Sequence, residues 1–335
     1  MANIAAGWRQ VVEEYSRLQL TKLPEDRLVA LSGIATEYGR AVEARQRECR
    51  ASGAKEDDER LRYTYLCGSW FPEVRELLWE QAEYGSRFRA QGIPTWSWAS
   101  IGTTITITDT SSTTITTTSG QKEIRSGVAV RWSFDAPQAC ELEGFTRIAV
   151  NSQTLCPEFD RCADESYVPD NVYGNDGRFA ALHVSGRLAA VEIHSLFADE
   201  DDRTAAANVT GHRPAFGREV WRRVTTPQTP GIVAGWASLE HPDFQDGNSS
   251  SVEVVMALFA AVRTKVQGGW LLGNASPHLT AYDVLYLRRV QIPELAVSPA
   301  GKDRDCYERV GVGRLFGGEV DNMFKSTEKS KIWLV

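Results

Sequence analysis

The stretch Pro94-Thr95-Trp96-Ser97-Trp98-Ala99-Ser100 decides how the chain is divided, because a helical period runs up to it and an alternating one runs on from it. Side chains alternate across a strand, so read as a strand it sets Trp96, Trp98 and Ser100 on one face and Ser97 and Ala99 on the other. A serine between two indoles is either a displayed nucleophile or part of a packed core. A nucleophile needs a base beside it, and the first histidine in the chain is His183. Ser97 therefore reads as structural, and its replacement by alanine is expected to be nearly silent. Trp96 and Trp98 read as a pair packed where a helical part meets a β part.

Upstream of this stretch, Trp8, Val11, Val12, Tyr15 and Leu18 recur at helical spacing, with Arg9, Glu13, Glu14 and Arg17 opposite them. A second helix is expected from Pro24, whose fixed φ suits a first turn, with Glu25 and Asp26 placed well against the helix dipole. It turns Leu28, Leu31, Ile34, Ala35 and Tyr38 inward and runs to about Arg50. A third helix is expected within Ser69–Trp79, started by Pro72 and ending on Leu77, Leu78 and Trp79.

Downstream, Ile105-Thr-Ile-Thr108 and Thr113-Thr-Ile-Thr116 predict a threonine-rich, solvent-facing hairpin at a sheet edge. Further strands are expected at 127–134, 145–151, 181–195, 231–239, 252–263, 268–273, 283–290, 307–314 and 331–335. The fold class is thus α+β: a helical portion over 1–92 packed on a large, mostly antiparallel β portion over 93–335, sharing one continuous core.

Composition narrows the function. A net charge of −7 disfavours a nucleic-acid surface, which needs a basic stripe. No run approaches the roughly 18–20 apolar residues of a spanning helix, and the N-terminal residues do not form a secretory signal, so a cytoplasmic protein is expected. Six cysteines without C-x-x-C spacing read as free, mostly buried thiols. The five histidines show no ligand spacing, so no metal site is expected. No nucleophile elbow, zincin helix or phosphate-binding loop is present, and no cofactor is expected.

One tight group of titratable residues stands at a predicted strand end: Glu240, His241 and Asp243, following Trp236-Ala-Ser238. If the chain has an active site, it is expected where this strand end meets the stretch 94–100, with Trp96, Trp98 and Trp236 as binding walls. Glu240 and His241 would supply acid–base chemistry, and Asp243 would orient His241.

Several blocks together resemble the region downstream of the HET domain in fungal heterokaryon-incompatibility proteins. They are Trp8 to Ala35, Tyr65-Leu-Cys-Gly-Ser-Trp70, Leu77-Leu-Trp79, Pro94–Ser100, Gly235–Leu239, Tyr307–Leu315 and Ile332-Trp-Leu-Val335. The HET block itself, which in the family triggers cell death, is not found in the sequence. The resemblance implies a non-enzymatic recognition or regulatory module that binds a protein. The alternative is a cofactor-independent enzyme of fungal secondary metabolism, a cyclase or isomerase taking an apolar small molecule in an aromatic pocket. Neither reading involves nucleic acid or a membrane.

Overall fold

Three strands, Val252–Val266, Leu279–Val290 and Cys306–Phe316, form the centre of the molecule, and within them residues 257–261, 281–287 and 309–315 are buried on both faces. The computed structural model describes residues 2–18, 23–51, 65–70, 74–81, 86–89, 94–106, 123–126, 130–132, 138–149, 178–197, 221–240, 252–266, 279–291 and 305–335. Two helices come first, α1 (Ala2–Ser16) and α2 (Leu23–Ala51). Short strands follow: β1 (Tyr65–Leu66), β2 (Ser69–Trp70), β3 (Trp79–Gln81), β4 (Ser86–Arg89), β5 (Ile101–Thr106), β6 (Glu123–Ser126) and β7 (Val130–Trp132). The main sheet takes β8 (Glu141–Ala149), β9 (Arg178–Phe197), β10 (Trp221–Thr225), β11 (Gly235–Leu239), β12 (Val252–Val266), β13 (Leu279–Val290), β14 (Cys306–Phe316) and β15 (Lys329–Leu334). Helix α3 (Gly318–Ser326) lies between the last two.

The main sheet has eight strands and closes on itself. Its ring runs β9-β10-β11-β14-β13-β12 and back to β9, every step antiparallel. β9 is long enough to serve two neighbourhoods: its first half pairs with β8 and β15, its second with β12 and β10. β15 is also parallel to the start of β14, through Cys306↔Trp333 and Tyr307↔Leu334.

Alternation along each strand sends one set of side chains inside the ring and the other outside. Val191, Val224, Leu239, Phe259, Val284 and Tyr286 fill the inside. Val320, with the part-buried Met323 and Phe324, adds α3 to that inner core. Gly311 and Gly313 are needed here. A Cβ on Gly313 would lie 2.0 Å from the Trp236 carbonyl oxygen and 2.7 Å from the Tyr286 ring, and one on Gly311 would lie 2.3 Å from the Ser238 carbonyl oxygen. The outer set, including Val184, Leu258, Leu285, Val312 and Trp236, is buried too, under Val74, Leu77, Leu78 and Trp96.

The stretch 94–100 is therefore not a strand. Residues 94–97 turn and Trp98–Ser100 form one 3-10 turn, capped by Ser97, whose Oγ accepts from the Ala99 N–H at 3.1 Å. Both indoles are buried, but not together: Trp96 belongs to the outer core of the ring, and Trp98 packs with Trp8, Val12, Leu28 and Leu31 of the first two helices. A two-residue turn joins β1 to β2, with Cys67 at φ 48° and Gly68 at φ 86°, as a type I′ hairpin requires. The Gly68 carbonyl accepts from the indole N–H groups of Trp8 (3.1 Å) and Trp98 (2.8 Å).

Three expectations need correction. Residues 69–79 do not form a third helix: β2, a 3-10 turn at Val74–Leu77 and β3 stand there, because every described side chain from Val74 to Gln81 is buried and no polar helical face remains for solvent. Strands β1 to β4 thus lie within the range 1–92 read as helical. Leu18, placed on the apolar stripe of α1, is exposed, since the helix ends at Ser16. β5 does pair at a small sheet, but with β4 and with Glu123–Ser126. Thr113–Thr116 and the predicted strand 268–273 lie outside the described residues. No described helix is long and apolar enough to cross a membrane.

Candidate functional site

β11 carries Gly235, Ala237 and Leu239 inward, so Trp236, Ser238 and Glu240 face outward, toward the layer that holds Val74, Leu77, Leu78 and Trp96. Glu240 is fully buried there, with its backbone N–H held by the Val310 carbonyl at 2.9 Å. Its carboxylate meets Arg309 of β14 in a fork: Nη1 to Oε2 at 3.2 Å and Nη2 to Oε1 at 3.3 Å. Arg309 is just as buried, and its guanidinium carbon sits 3.5 Å from the centre of the Trp79 ring. The same Nη2 donates to the Trp79 carbonyl at 2.5 Å.

The surroundings tie the stretch 94–100 to this point. The Trp79 indole N–H donates to the Trp96 carbonyl at 3.0 Å, and the Arg309 backbone N–H donates to the Thr95 hydroxyl at 2.8 Å. The Thr95 backbone N–H reaches the Val335 carbonyl at 3.2 Å, while the Val335 N–H returns to the Tyr307 carbonyl at 2.9 Å. Arg309 thus touches β3, β11 and the 94–100 turn at once.

Arginine gives up no proton at neutral pH. With both carboxylate oxygens facing the Arg309 guanidinium and both side chains buried, Glu240 and Arg309 are placed to hold one another.

A second pair repeats the pattern on the same strand. Arg314 Nε donates to Asp283 Oδ1 at 2.6 Å, both fully buried, and its guanidinium lies 5.8 Å from the Trp236 ring. The Trp236 carbonyl accepts from the Tyr286 hydroxyl at 3.0 Å. Burial pushes the Tyr286 phenol well above its ordinary value, which keeps it a donor. Trp96, Trp98 and Trp236 are all buried in the outer or helical cores. His241 and Asp243 lie outside the described residues.

Ser97 is not free of duties. Its hydroxyl donates to the Cys67 carbonyl at 2.6 Å in a fully buried setting, so alanine there leaves that carbonyl without its donor. The buried bond argues against a silent substitution.

Sequence reading did not assign Arg309, Arg314, Asp283 or Trp79 to a site. A signal was present: charged residues inside runs as apolar as Leu279–Val290 and Cys306–Phe316 must find counter-charges when both strand faces are covered. A further polar chain joins β9 to β10: the Thr225 hydroxyl donates to Glu192 Oε2 at 3.1 Å and accepts from His194 Nε2 at 2.9 Å. Thr225 is fully buried, and its oxygen lies in the seam between the two strands. Burial pushes the Cys140 thiol up to about 12, and Cys67, Cys140 and Cys306 are free thiols in the core. Among the described residues, no three His, Cys, Asp or Glu side chains gather as a metal-ligand set. No family model, no curated protein and no solved structure matches the chain, so its function has to be argued from these residues.

Proposed function

We propose that this chain is a non-enzymatic recognition or regulatory module, of the kind found downstream of the HET domain in heterokaryon-incompatibility proteins, acting on a protein partner in the cytoplasm. One observation carries the choice of module over enzyme: Glu240 is buried with both oxygens on Arg309. It therefore serves as a structural anchor. On this reading the first two helices form an outer layer held against the closed sheet through the described residues between 65 and 101, and the module presents its outside to the partner.

Deletion of the gene, followed by strain-fusion tests and metabolite profiling, separates the two readings. The module predicts altered compatibility with an unchanged metabolite profile. Loss of a metabolite, with accumulation of an uncyclised or unisomerised precursor, would instead support the enzyme.

A further inference from the structure

β10 and β11 are joined by Thr226-Pro-Gln-Thr-Pro-Gly-Ile232, which contains the dipeptide Thr-Pro twice. The loop is two successive β-turns. In the first, the Thr229 N–H returns to the Thr226 carbonyl at 3.1 Å with Pro227 at the second position. In the second, the Ile232 N–H returns to the Thr229 carbonyl at 3.1 Å, with Pro230 second and Gly231 third at φ 93°, the type II arrangement. Both prolines take the place their fixed φ favours.

The two threonines differ in access. Thr226 is buried at 1% exposure, whereas Thr229 is half-buried and stands between exposed Gln228 and exposed Pro230. Ile232, at the far side of the loop, is 64% exposed. An exposed loop fixed on a rigid sheet is where a modifying enzyme can reach backbone and side chain together.

We propose that Thr229 is a phosphorylation site for proline-directed protein kinases. Such a kinase needs a hydroxyl followed by a proline ring it can seat, a residue with no N–H to satisfy, and Thr229-Pro230 offers both at the surface. Thr226-Pro227 carries the same pair of residues with its hydroxyl inside.

The Thr229 oxygen attacks the γ-phosphorus of MgATP, the new O–P bond forms as the bond to ADP breaks, and the hydroxyl proton passes to the kinase's catalytic aspartate. The Thr226 and Thr229 hydroxyls lie 2.8 Å apart, and either one can donate. After transfer only Thr226 retains a proton, so it becomes the donor toward the phosphoryl group. The modification adds about −1.5 to −2 charges at pH 7 to a protein that already carries −7.

The full-length folded chain, incubated with a proline-directed kinase and MgATP, is mapped by phosphopeptide mass spectrometry. The expected result is phosphate on Thr229, with loss of that label in T229A and also in P230A, which keeps the hydroxyl but removes the ring. Heat-denatured chain should accept label on Thr226 as well. The unmodified sequence carries the decisive map, so the folding of the variants does not limit it. Phosphate confined in the folded chain to Thr226, or to Ser276 or Ser298, which also precede proline, would overturn the proposal. So would a folded chain that takes no label at Thr229.

Discussion

The two faces of the closed sheet are built from the same strands yet are specified differently. Inside the ring, the side chains are mostly apolar, from Val191 to Val284, with Val320, Met323 and Phe324 added by α3; the buried charge on that face is Arg222, in register with Ala237. Outside, the apolar layer is interrupted by two fully buried ion pairs, Arg309–Glu240 and Arg314–Asp283, lying among Trp79, Trp96 and Trp236. Apolar burial is non-directional and can fill a closed space in more than one way. A fork between guanidinium and carboxylate fixes one geometry. The ring closes through its ladder of backbone hydrogen bonds, whereas the described residues of the cover fall in short strands and 3-10 turns that meet the ring through point contacts.

Substitutions at the cover should cost most. Trp96→Ala removes the indole that joins the 94–100 turn to the ring, and Trp98→Ala removes the one that joins it to α1 and α2. Each should destabilise by about 3–5 kcal/mol in denaturant melts. The two should differ in what loosens: hydrogen exchange should rise over 74–81 in the first case and over α1 and α2 in the second. Equal exchange patterns would erase the distinction between the two sides of this layer.

Closure of the ring is tested from within. Gly313→Ala places a methyl group against backbone oxygen and the Tyr286 ring, and should cost roughly 1–3 kcal/mol, toward the upper end because the backbone cannot move aside cheaply. A neutral effect in a melt would mean that β11 and β14 are not held at their observed separation. Ser97→Ala should cost about 1–3 kcal/mol through the Cys67 carbonyl it abandons, and Ser97→Thr should recover part of that if the methyl group is tolerated. The smallest effect concerns pH. The Cys140 thiol is raised from 9.0 to about 12 by burial, so an unfolded chain deprotonates there first. Stability from this group is complete below pH 9 and is lost progressively as pH rises toward 12. Alkylation of Cys140 at pH 8 should therefore wait for unfolding, and rapid labelling of the folded chain would contradict the burial.

Much of the ring was legible because its strands obey a simple period. β9, β11, β12, β13, β14 and β15 fall where apolar alternation or apolar runs predict strands. β10 did not stand out, since Trp221-Arg-Arg-Val-Thr225 is short and half charged, and its pairing with β9 and β11 supplies what its own pattern lacks. The stretch 69–100 misled for another reason. Its described residues at 76–81 and 96–100 are all buried, so apolar spacing no longer reports a helical face, and Trp96 and Trp98 serve different cores two residues apart. Within the candidate site, Glu240 was visible as a charge beside a strand end. Its partner Arg309 is 69 residues away in sequence, and only the ring brings β11 and β14 together.

The most direct test of the anchor role is a double-mutant cycle on Glu240→Leu and Arg309→Met, read by equilibrium unfolding. Each single change strands a buried charge and should destabilise by about 3–5 kcal/mol, while the double change removes both charges and should be more stable than either single variant. Strict additivity, with the double variant losing the sum of the two, would show that the pair is not the element that fixes the cover to the ring.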